Sequence, residues 1–210
     1  MMPEGAYFET RLARREADLL SAQRLRYRVF VEELGADGDL VDHENRLERD
    51  AFDPVVDHLV LVDRRRPESD LEHVVGLYRL LPGDRIGGND RFYCDGEYDL
   101  SPLRRSGRRV LELGRSCMAP DFRGGSGMFL LWSALAEYVL DRQVEVLFGV
   151  ASFHGTDAGL LAQPLSWLYR HHLAPEGMRP RARPEGYQRM DLVPEARLDR
   201  RAAMAGMPPL

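Results

Sequence analysis

Hydrophobic residues recur along the chain in two patterns, one typical of helices and one of short strands. Residues 16–34 carry leucine, valine and phenylalanine at helical spacing with charged residues between them, and Gly35 follows as a C-cap. Short apolar or alternating runs predict strands, and later helical stretches separate them. The predicted strands are 6–14, 57–63, 74–81, 110–118, 145–152 and 187–193, and the later helices are 128–142 and 156–170. Strands that pair first, followed by strand–helix–strand units, predict a mixed α/β sandwich.

Two segments lack a regular pattern. Residues 83–108 form a long polar connection, and a connection of that length inside a compact domain is usually functional or contains a short helix. The chain from Leu198 onward has the character of a frayed tail. We therefore predict a single domain over residues 1–210, with its core at about 6–193 and a C-terminal tail at about 198–210.

Composition and charge narrow the class of protein. Hydrophobic residues make up 44% and charged residues 30%, and the net charge of −5 argues against nucleic acid as a partner. Two cysteines, Cys94 and Cys117, suggest a reducing compartment rather than a disulfide framework. The N-terminus lacks a signal-peptide pattern and no apolar run is long enough to span a bilayer. We expect a cytoplasmic location, with peripheral contact at the inner membrane face left open.

The strand predicted over 110–118 runs into a glycine-rich turn and then a helix. Free backbone N–H groups of such a turn, together with the helix dipole, form a site for an anionic group. The strand also carries Glu112 and Arg115, which a regular strand would place on opposite faces. A bulge at Gly114 would bring both to one face. This combination indicates acyl transfer from a pantetheine thioester.

Several motifs resemble those of known acyltransferases of the GNAT superfamily. Acyl-homoserine-lactone synthases share four short motifs with this chain, here Arg26…Phe30, Asp50…Asp53, Arg79-Leu80-Leu81 and Glu112…Arg115. The L-ornithine Nα-acyltransferases of ornithine-lipid synthesis are similar in longer blocks, chiefly 111–117 and 148–156. The similarity extends from about Tyr7 to Val193. It implies a GNAT-like fold with a mixed, splayed central sheet flanked by helices.

The resemblance also implies a reaction. The enzyme would transfer a 3-hydroxyacyl group from acyl carrier protein to the α-amine of L-ornithine, giving lyso-ornithine lipid. No cofactor would be permanently bound, because the 4′-phosphopantetheine of the carrier protein serves as the donor arm. Acetyl-CoA-using relatives favour Gln/Arg-x-x-Gly-x-Gly/Ala in the phosphate loop, whereas reading from Arg123 places Ser126 and Met128 at the small positions. This departure favours the carrier-protein donor, and coenzyme A is the alternative.

The predicted catalytic residues are Glu112, Arg115 and His154. An amino acid is mostly an ammonium ion at pH 7, so a general base is needed, and Glu112 is the candidate. A structural ion pair between Glu112 and Arg115 is the alternative. His154 would be a second base or a carbonyl donor, although a purely structural histidine fits the same position. His43, His58 and His73 show no metal-ligand spacing, so we predict no metal.

The acceptor and donor would occupy separate groups of residues. The acceptor group is Arg26, Phe30, Asp50, Asp53 and Arg79, in which carboxylates suit an ammonium and arginines a carboxylate. A solvated loop is the alternative for the two aspartates. The donor group is Ser116, Cys117, Met118, Arg123, Gly124, Gly125, Ser126 and Gly127. A bulged strand would leave the N–H groups of Ser116 to Met118 free to stabilise the oxyanion, unless a regular ladder pairs them all.

Other activities remain open at the level of sequence. Arginines at 104, 105, 108 and 109, and at 179, 181, 183 and 189, could dock an acidic carrier protein or simply form a solvated surface. Alternative functions are a long-chain N-acyl amino acid or homoserine-lactone synthase and a CoA-dependent N-acetyltransferase of a small amine. A non-catalytic module that binds carrier protein or lipid is a further alternative.

Overall fold

The computed structural model describes residues 7–86, 91–153 and 155–208. They fall into two compact units. Unit 1 comprises Met1–Tyr93 and Arg109–Gly149, and unit 2 comprises Cys94–Arg108 and Val150–Leu210. The strands are β1 (Phe8–Leu12), β2 (Asp57–Asp63), β3 (Val74–Pro82), β4 (Tyr98–Asp99), β5 (Val110–Met118), β6 (Val146–Phe148) and β7 (Arg181–Ala182). The α-helices are α1 (Glu16–Arg26), α2 (Ser101–Arg105), α3 (Ser126–Asp141), α4 (Ala162–His171) and α5 (Arg200–Ala205).

Unit 1 is built on a five-stranded sheet. Its order is β1-β2-β3-β5-β6, with antiparallel pairing as far as β5 and a parallel pair between β5 and β6. Helix α1 packs on β3, and α3 packs on β2 and β1. The predicted strands 57–63, 74–81 and 110–118 are confirmed. Strands β2 and β3 are buried along almost their whole length, as expected for strands covered on both faces, whereas β5 is partly exposed over 113–116. The mixed α/β architecture is confirmed with them.

Strands β5 and β6 separate after a short stretch of pairing. The ladder joins Val110–Glu112 to Val146–Phe148, and β5 then continues to Met118 without β6. Gly149 lies where the strands part, and a Cβ there would lie 2.3 Å from the carbonyl oxygen of Leu113. Strand β6 is therefore shorter than the predicted 145–152. The sheet is splayed at this point, as expected.

A bulge interrupts β5 one residue later than predicted. Gly114 and Cys117 are three positions apart on β5, yet they face β3 residues only two positions apart. Arg115 and Ser116 therefore share one partner position, at Tyr78. Arg115 adopts φ +46°, a left-handed conformation that side chains other than glycine seldom adopt. The irregular residue is thus the arginine and not the preceding glycine.

The helix predicted over 16–34 is present but changes its winding. Helix α1 gives way to a π-helix at Tyr27–Glu33. Gly35 ends the segment with φ +70°, and its N–H donates to the Val31 carbonyl at 3.0 Å, which confirms the predicted C-cap. Short π-helical segments are frequent at functional sites because they shift side chains relative to an α-helix.

Unit 2 has less regular structure than its sequence predicts. Strands β4 and β7 form a two-stranded ladder, and α4 packs on α5. Helix α4 begins at Ala162 rather than Thr156, because the Asp157 carboxylate accepts from the N–H groups of Gly159 and Leu160 in a turn. Residues 200–205 of the predicted tail form α5, which Asp199 caps.

The predicted strand 187–193 is wrong. Its backbone finds partners in one side chain instead of a neighbouring strand. The buried hydroxyl of Ser166 donates to the Met190 carbonyl at 3.0 Å and accepts from the N–H groups of Leu192 and Val193, both at 2.9 Å.

No helix in the described ranges is long and apolar enough to cross a membrane.

Candidate functional site

A buried network of arginines and carboxylates lies in unit 1. Its members are Arg26, Arg79, Arg115, Glu48, Asp50 and Asp53, and we call it the arginine–carboxylate network. Arg26, at the end of α1, is fully buried. Its Nη1 and Nη2 donate to the two carboxylate oxygens of Asp53 at 2.6 and 3.0 Å. Its Nε donates to the Glu48 carboxylate, and Nη2 also donates to the Glu48 carbonyl at 2.7 Å.

The other two arginines extend the network onto the sheet. Nη1 of Arg79, on β3, donates to Oδ1 of Asp50 at 2.6 Å and to Oδ1 of Asp53 at 3.2 Å. Nε of Arg115, at the β5 bulge, donates to Oε1 of Glu48 at 3.0 Å, and its Nη2 lies 3.5 Å from Oδ2 of Asp50. The Asp50 and Asp53 side chains are only 19% and 8% exposed, so they are not solvated loop residues.

Electrostatics favour the ionised forms of Asp53 and Arg115. Burial alone would raise the pKa of Asp53, but the hydrogen bonds and charge of Arg26, with the charge of Arg79, outweigh burial and lower it. Burial opposes the charge of Arg115 as well, yet Glu48 and Asp50 raise the pKa of its guanidinium. Burial lowers the pKa of nearby His58, which favours its neutral form. The network is therefore a fixed pattern of charges.

Glu112 and Arg115 meet at Tyr93. The Tyr93 N–H donates to Oε2 of Glu112 at 2.7 Å, and the guanidinium of Arg115 lies 5.1 Å from the centre of the Tyr93 ring. Glu112 is 3% exposed. Arg115 also lies 5.6 Å from the ring centre of Phe30, which is on the π-helix. The bulge thus brings Glu112 and Arg115 to one side of the strand, as the sequence predicts.

The end of β5 is buried and regular beyond the bulge. Cys117 and Met118 lie in register with β3, so the ladder interruption is confined to residues 115–116. Burial raises the pKa of the Cys117 thiol to about 12. The thiol is therefore protonated near neutral pH and is a poor nucleophile.

The glycine-rich turn joins β5 to α3. Arg123 donates from Nε to the Met118 carbonyl at 3.0 Å and from Nη2 to the Glu33 carboxylate. Gly124 adopts φ +78°, and a Cβ there would meet no atom within 4 Å. Helix α3 begins at Ser126, and no side chain of the described residues caps it. Gly125 and the first turn of α3 can therefore offer N–H groups to an anion.

Gly127 has a packing role within the same turn. A Cβ at this position would lie 3.1 Å from Leu61 Cδ2 and 3.6 Å from the end of Met118. Its lack of a side chain lets α3 approach the sheet closely. Whether Gly127 also contacts a ligand stays a prediction.

Among the residues of unit 1 that the structure describes, one group of side chains has ligand spacing for a metal. Asp18, Glu68 and His73 offer ligand atoms within 4.8 Å of one another. Arg11 and Arg15 already donate to Asp18, and Arg15 also donates to Glu68. Two arginine charges oppose the binding of a cation there. The group instead ties α1 to the sheet.

Two residues of the site are not marked by any sequence motif, and one predicted site residue lies outside the described residues. Glu48 joins Arg26 to Arg115, but it lies outside the Asp-x-x-Asp spacing and had no motif to mark it. Tyr93 belongs to the long connection 83–108, for which the sequence predicts either a function or a short helix, and no motif marks Tyr93 itself. His154 lies outside the described residues.

Comparisons with known proteins agree with these features. A family model described as an acetyltransferase (GNAT) domain matches residues 25–133. An L-ornithine N(alpha)-acyltransferase of Rhodobacter capsulatus is 64% identical over 203 residues, covering 97% of this chain and 78% of that protein. An L-ornithine N(alpha)-acyltransferase of Brucella abortus is 38% identical over 204 residues, covering 96% and 73%.

Among solved structures, a CoA-dependent acyl-homoserine lactone synthase, BjaI, is 21% identical with a TM-score of 0.48 over 80% of this chain and 74% of that one. The domain match spans slightly more than half of the 210 residues, and the two curated relatives are matched over most of their own length. The chain is therefore an acyltransferase that belongs to the L-ornithine Nα-acyltransferase family of the GNAT superfamily.

Proposed function

We propose that this enzyme transfers a 3-hydroxyacyl group from acyl carrier protein to the α-amine of L-ornithine, giving lyso-ornithine lipid. The observation that carries the proposal is the arginine–carboxylate network beside the bulged, splayed strand β5. It combines charges suited to a zwitterionic acceptor with a strand edge suited to a thioester donor. The names of the curated relatives support ornithine as the acceptor.

The acceptor would bind at the edge of the network. Oδ2 of Asp50 is buried and accepts no hydrogen bond from the described residues. A buried carboxylate oxygen without a donor is costly, and an ammonium group of the acceptor would satisfy it. Arg79 or Arg115 would hold the acceptor carboxylate, and Phe30 would border it. These contacts stay proposals.

Glu112 would act as the general base. Its burial and its position beside Arg115 at the bulge support this role. It would take a proton from the α-ammonium, directly or through water. The neutral amine attacks the thioester carbonyl carbon, the carbon–sulfur bond breaks, and the pantetheine sulfur leaves and takes up a proton. The products are the amide and the free thiol of the carrier protein.

The donor arm would lie along β5 where β6 has separated. An extended pantetheine chain can add to a free strand edge through its amide groups. The N–H groups of Arg115 and Ser116, where the ladder with β3 is interrupted, would face the developing oxyanion. The phosphate of the arm would rest on Gly124, Gly125 and the first turn of α3. The carrier protein itself would dock through arginine side chains.

Location stays a proposal as well. We place the enzyme in the cytoplasm, with peripheral contact at the inner membrane face. Phe129, Trp132 and Leu140 support such contact, because they are exposed at helical spacing on α3. Binding to sedimented lipid vesicles, lost when Trp132 is replaced by serine, would support it, and equal binding by both proteins would contradict it.

A reconstitution tests the reaction. The purified enzyme is incubated with 3-hydroxypalmitoyl-acyl carrier protein or acetyl-CoA and a panel of amino acids, and products are identified by mass spectrometry. Acyl-ornithine formed from the carrier-protein donor supports the proposal. An acetylated amine formed from acetyl-CoA, with no product formed from the carrier-protein donor, would contradict the proposal. It would instead favour a CoA-dependent N-acetyltransferase of a small amine. Binding of carrier protein without turnover of any amino acid in the panel would contradict the proposed reaction.

Substitution of Glu112 tests the mechanism. We expect Glu112→Gln to lower kcat by roughly 10²–10⁴-fold with an unchanged circular dichroism spectrum. Glu137→Gln, at an exposed position on α3, is the matched control and should retain full activity. A kcat of Glu112→Gln within about threefold of the wild-type value would exclude the role of Glu112 as general base.

A further inference from the structure

The arginine of the glycine-rich turn already holds an anion supplied by the protein. Nη2 of Arg123 donates to both oxygens of the Glu33 carboxylate, at 3.1 and 2.8 Å. Its Nε donates to the Met118 carbonyl, which anchors the guanidinium at the end of β5. Glu33 is the last residue of the π-helix. The carboxylate therefore occupies the arginine at the turn where a donor phosphate would bind.

The pair is accessible to a ligand. The side chains of Arg123 and Glu33 are 47% and 31% exposed. An ion pair this exposed contributes little to folding, so Arg123 can exchange partners easily. Glu33 nevertheless remains a fixed negative charge beside the turn, because the Gly35 C-cap holds the end of its helix.

The effect of that charge depends on the donor. The phosphodiester of a carrier-protein arm has one negative charge, whereas coenzyme A carries a pyrophosphate and a 3′-phosphate. A carboxylate at the turn repels each of these charges and competes for Arg123. The energetic penalty therefore grows with the charge of the donor. Ser126 and Met128, at the positions where small residues are expected in the turn, act in the same direction.

We infer that Glu33 is a specificity-determining residue that disfavours coenzyme A thioesters relative to carrier-protein thioesters. The inference rests on the proposed function for the location of the donor phosphate. Glu33 acts on the donor through charge and through Arg123, and it takes no part in the chemical step.

Binding of coenzyme A tests this inference without any turnover. The dissociation constant of CoA is measured by calorimetry for the wild type, Glu33→Gln and Glu32→Gln. Glu32 is the matched control, because it is the neighbouring glutamate and pairs with Arg46 instead. We expect Glu33→Gln to bind CoA roughly threefold to tenfold more tightly, with a gain that shrinks in high salt. Glu32→Gln should bind like the wild type.

Activity provides the second readout. The ratio of kcat/KM for acyl-CoA to kcat/KM for acyl-carrier protein should rise in Glu33→Gln by a similar factor. Equal, weaker or undetectable CoA binding by Glu33→Gln would overturn the inference, since Glu33 would then merely position Arg123. The same gain in Glu32→Gln would also overturn it, because it would reflect general surface charge.

The two proposals fail in different ways. A wild type that acylates ornithine from neither donor contradicts the proposed function, while the CoA titration still decides the role of Glu33. A wild type that acylates ornithine from carrier protein, with an unchanged donor ratio in Glu33→Gln, contradicts only the inference.

Discussion

Replacing Arg26 by methionine should destabilise unit 1 strongly. The arginine is fully buried and makes hydrogen bonds to Glu48 and to both carboxylate oxygens of Asp53. Methionine of similar length would leave two buried carboxylates without their main partner. Breaking a buried ion pair in this way costs about 3–5 kcal/mol. For a chain of 210 residues this corresponds to a decrease in Tm of about 10 °C.

The loss should depend on pH. Asp53 has a lowered pKa in the folded protein, so its contribution to stability is present above its unfolded pKa and is lost as pH falls through the folded value. Without Arg26, burial would raise the pKa of Asp53. The difference in the free energy of unfolding between wild type and Arg26→Met should therefore be largest at pH 7 and should shrink as the pH falls below about 4, the usual pKa of an unfolded aspartate.

The assay is urea unfolding in a Trp167→Phe background. The chain has two tryptophans, so Trp132 of α3 then reports unit 1 alone. The control is Arg24→Met, because Arg24 lies on the same helix and donates to the Asp70 carbonyl at 3.0 Å near the surface. It should cost less than about 1 kcal/mol. A loss below about 1 kcal/mol for Arg26→Met, or one that is equal at pH 7 and at about pH 3, would refute the reasoning.

Three further predictions concern other parts of unit 1. Gly149→Ala should cost at least ~2 kcal/mol in urea unfolding, because its Cβ would clash with the Leu113 carbonyl oxygen, whereas Gly177→Ala meets no atom within 4 Å and should be neutral. Iodoacetamide at pH 8 should leave Cys117 unmodified in the folded protein and alkylate it in urea; labelling of the folded protein, seen by mass spectrometry, would contradict its burial. Asp18→Asn should lower the free energy of unfolding by about 2 kcal/mol at pH 7, because the pKa of Asp18 is about 2 in the folded protein. The difference in the free energy of unfolding from the wild type should disappear as the pH falls from about 4 to 2.

The sequence identifies the central strand and the candidate pair Glu112 and Arg115, but not the backbone conformation between them. Glu112 and Arg115 could be predicted to share a side, since a bulge is the only simple way to align residues three apart on a strand. Glycine is the natural candidate for a left-handed position, which pointed to Gly114. The structure places Arg115 there instead. Contacts with Glu48 and Tyr93 hold the arginine in place, and both are tertiary.

Tertiary contacts also explain what the sequence could not show. Glu48 lies 22 positions from Arg26 and 67 from Arg115, and its role exists only when folding brings the three together. In unit 2 the segment 187–193 has strand-like alternation, yet the hydroxyl of Ser166 satisfies its backbone groups. A hydrogen bond from a side chain leaves no periodic trace in the sequence, so this error was unavoidable from pattern alone.

The π-helix at Tyr27–Glu33 has a consequence for comparing relatives by their motifs. Removing one residue from this segment would restore α-helical winding and rotate everything after it by roughly 100° about the helix axis. Arg26 would keep its place at the start, while Phe30 and Glu33 would turn away from Arg115 and Arg123. A homologue could therefore carry every motif residue and still lack this arrangement. The length of the segment between Arg26 and Gly35 is as diagnostic as the identity of the residues within it.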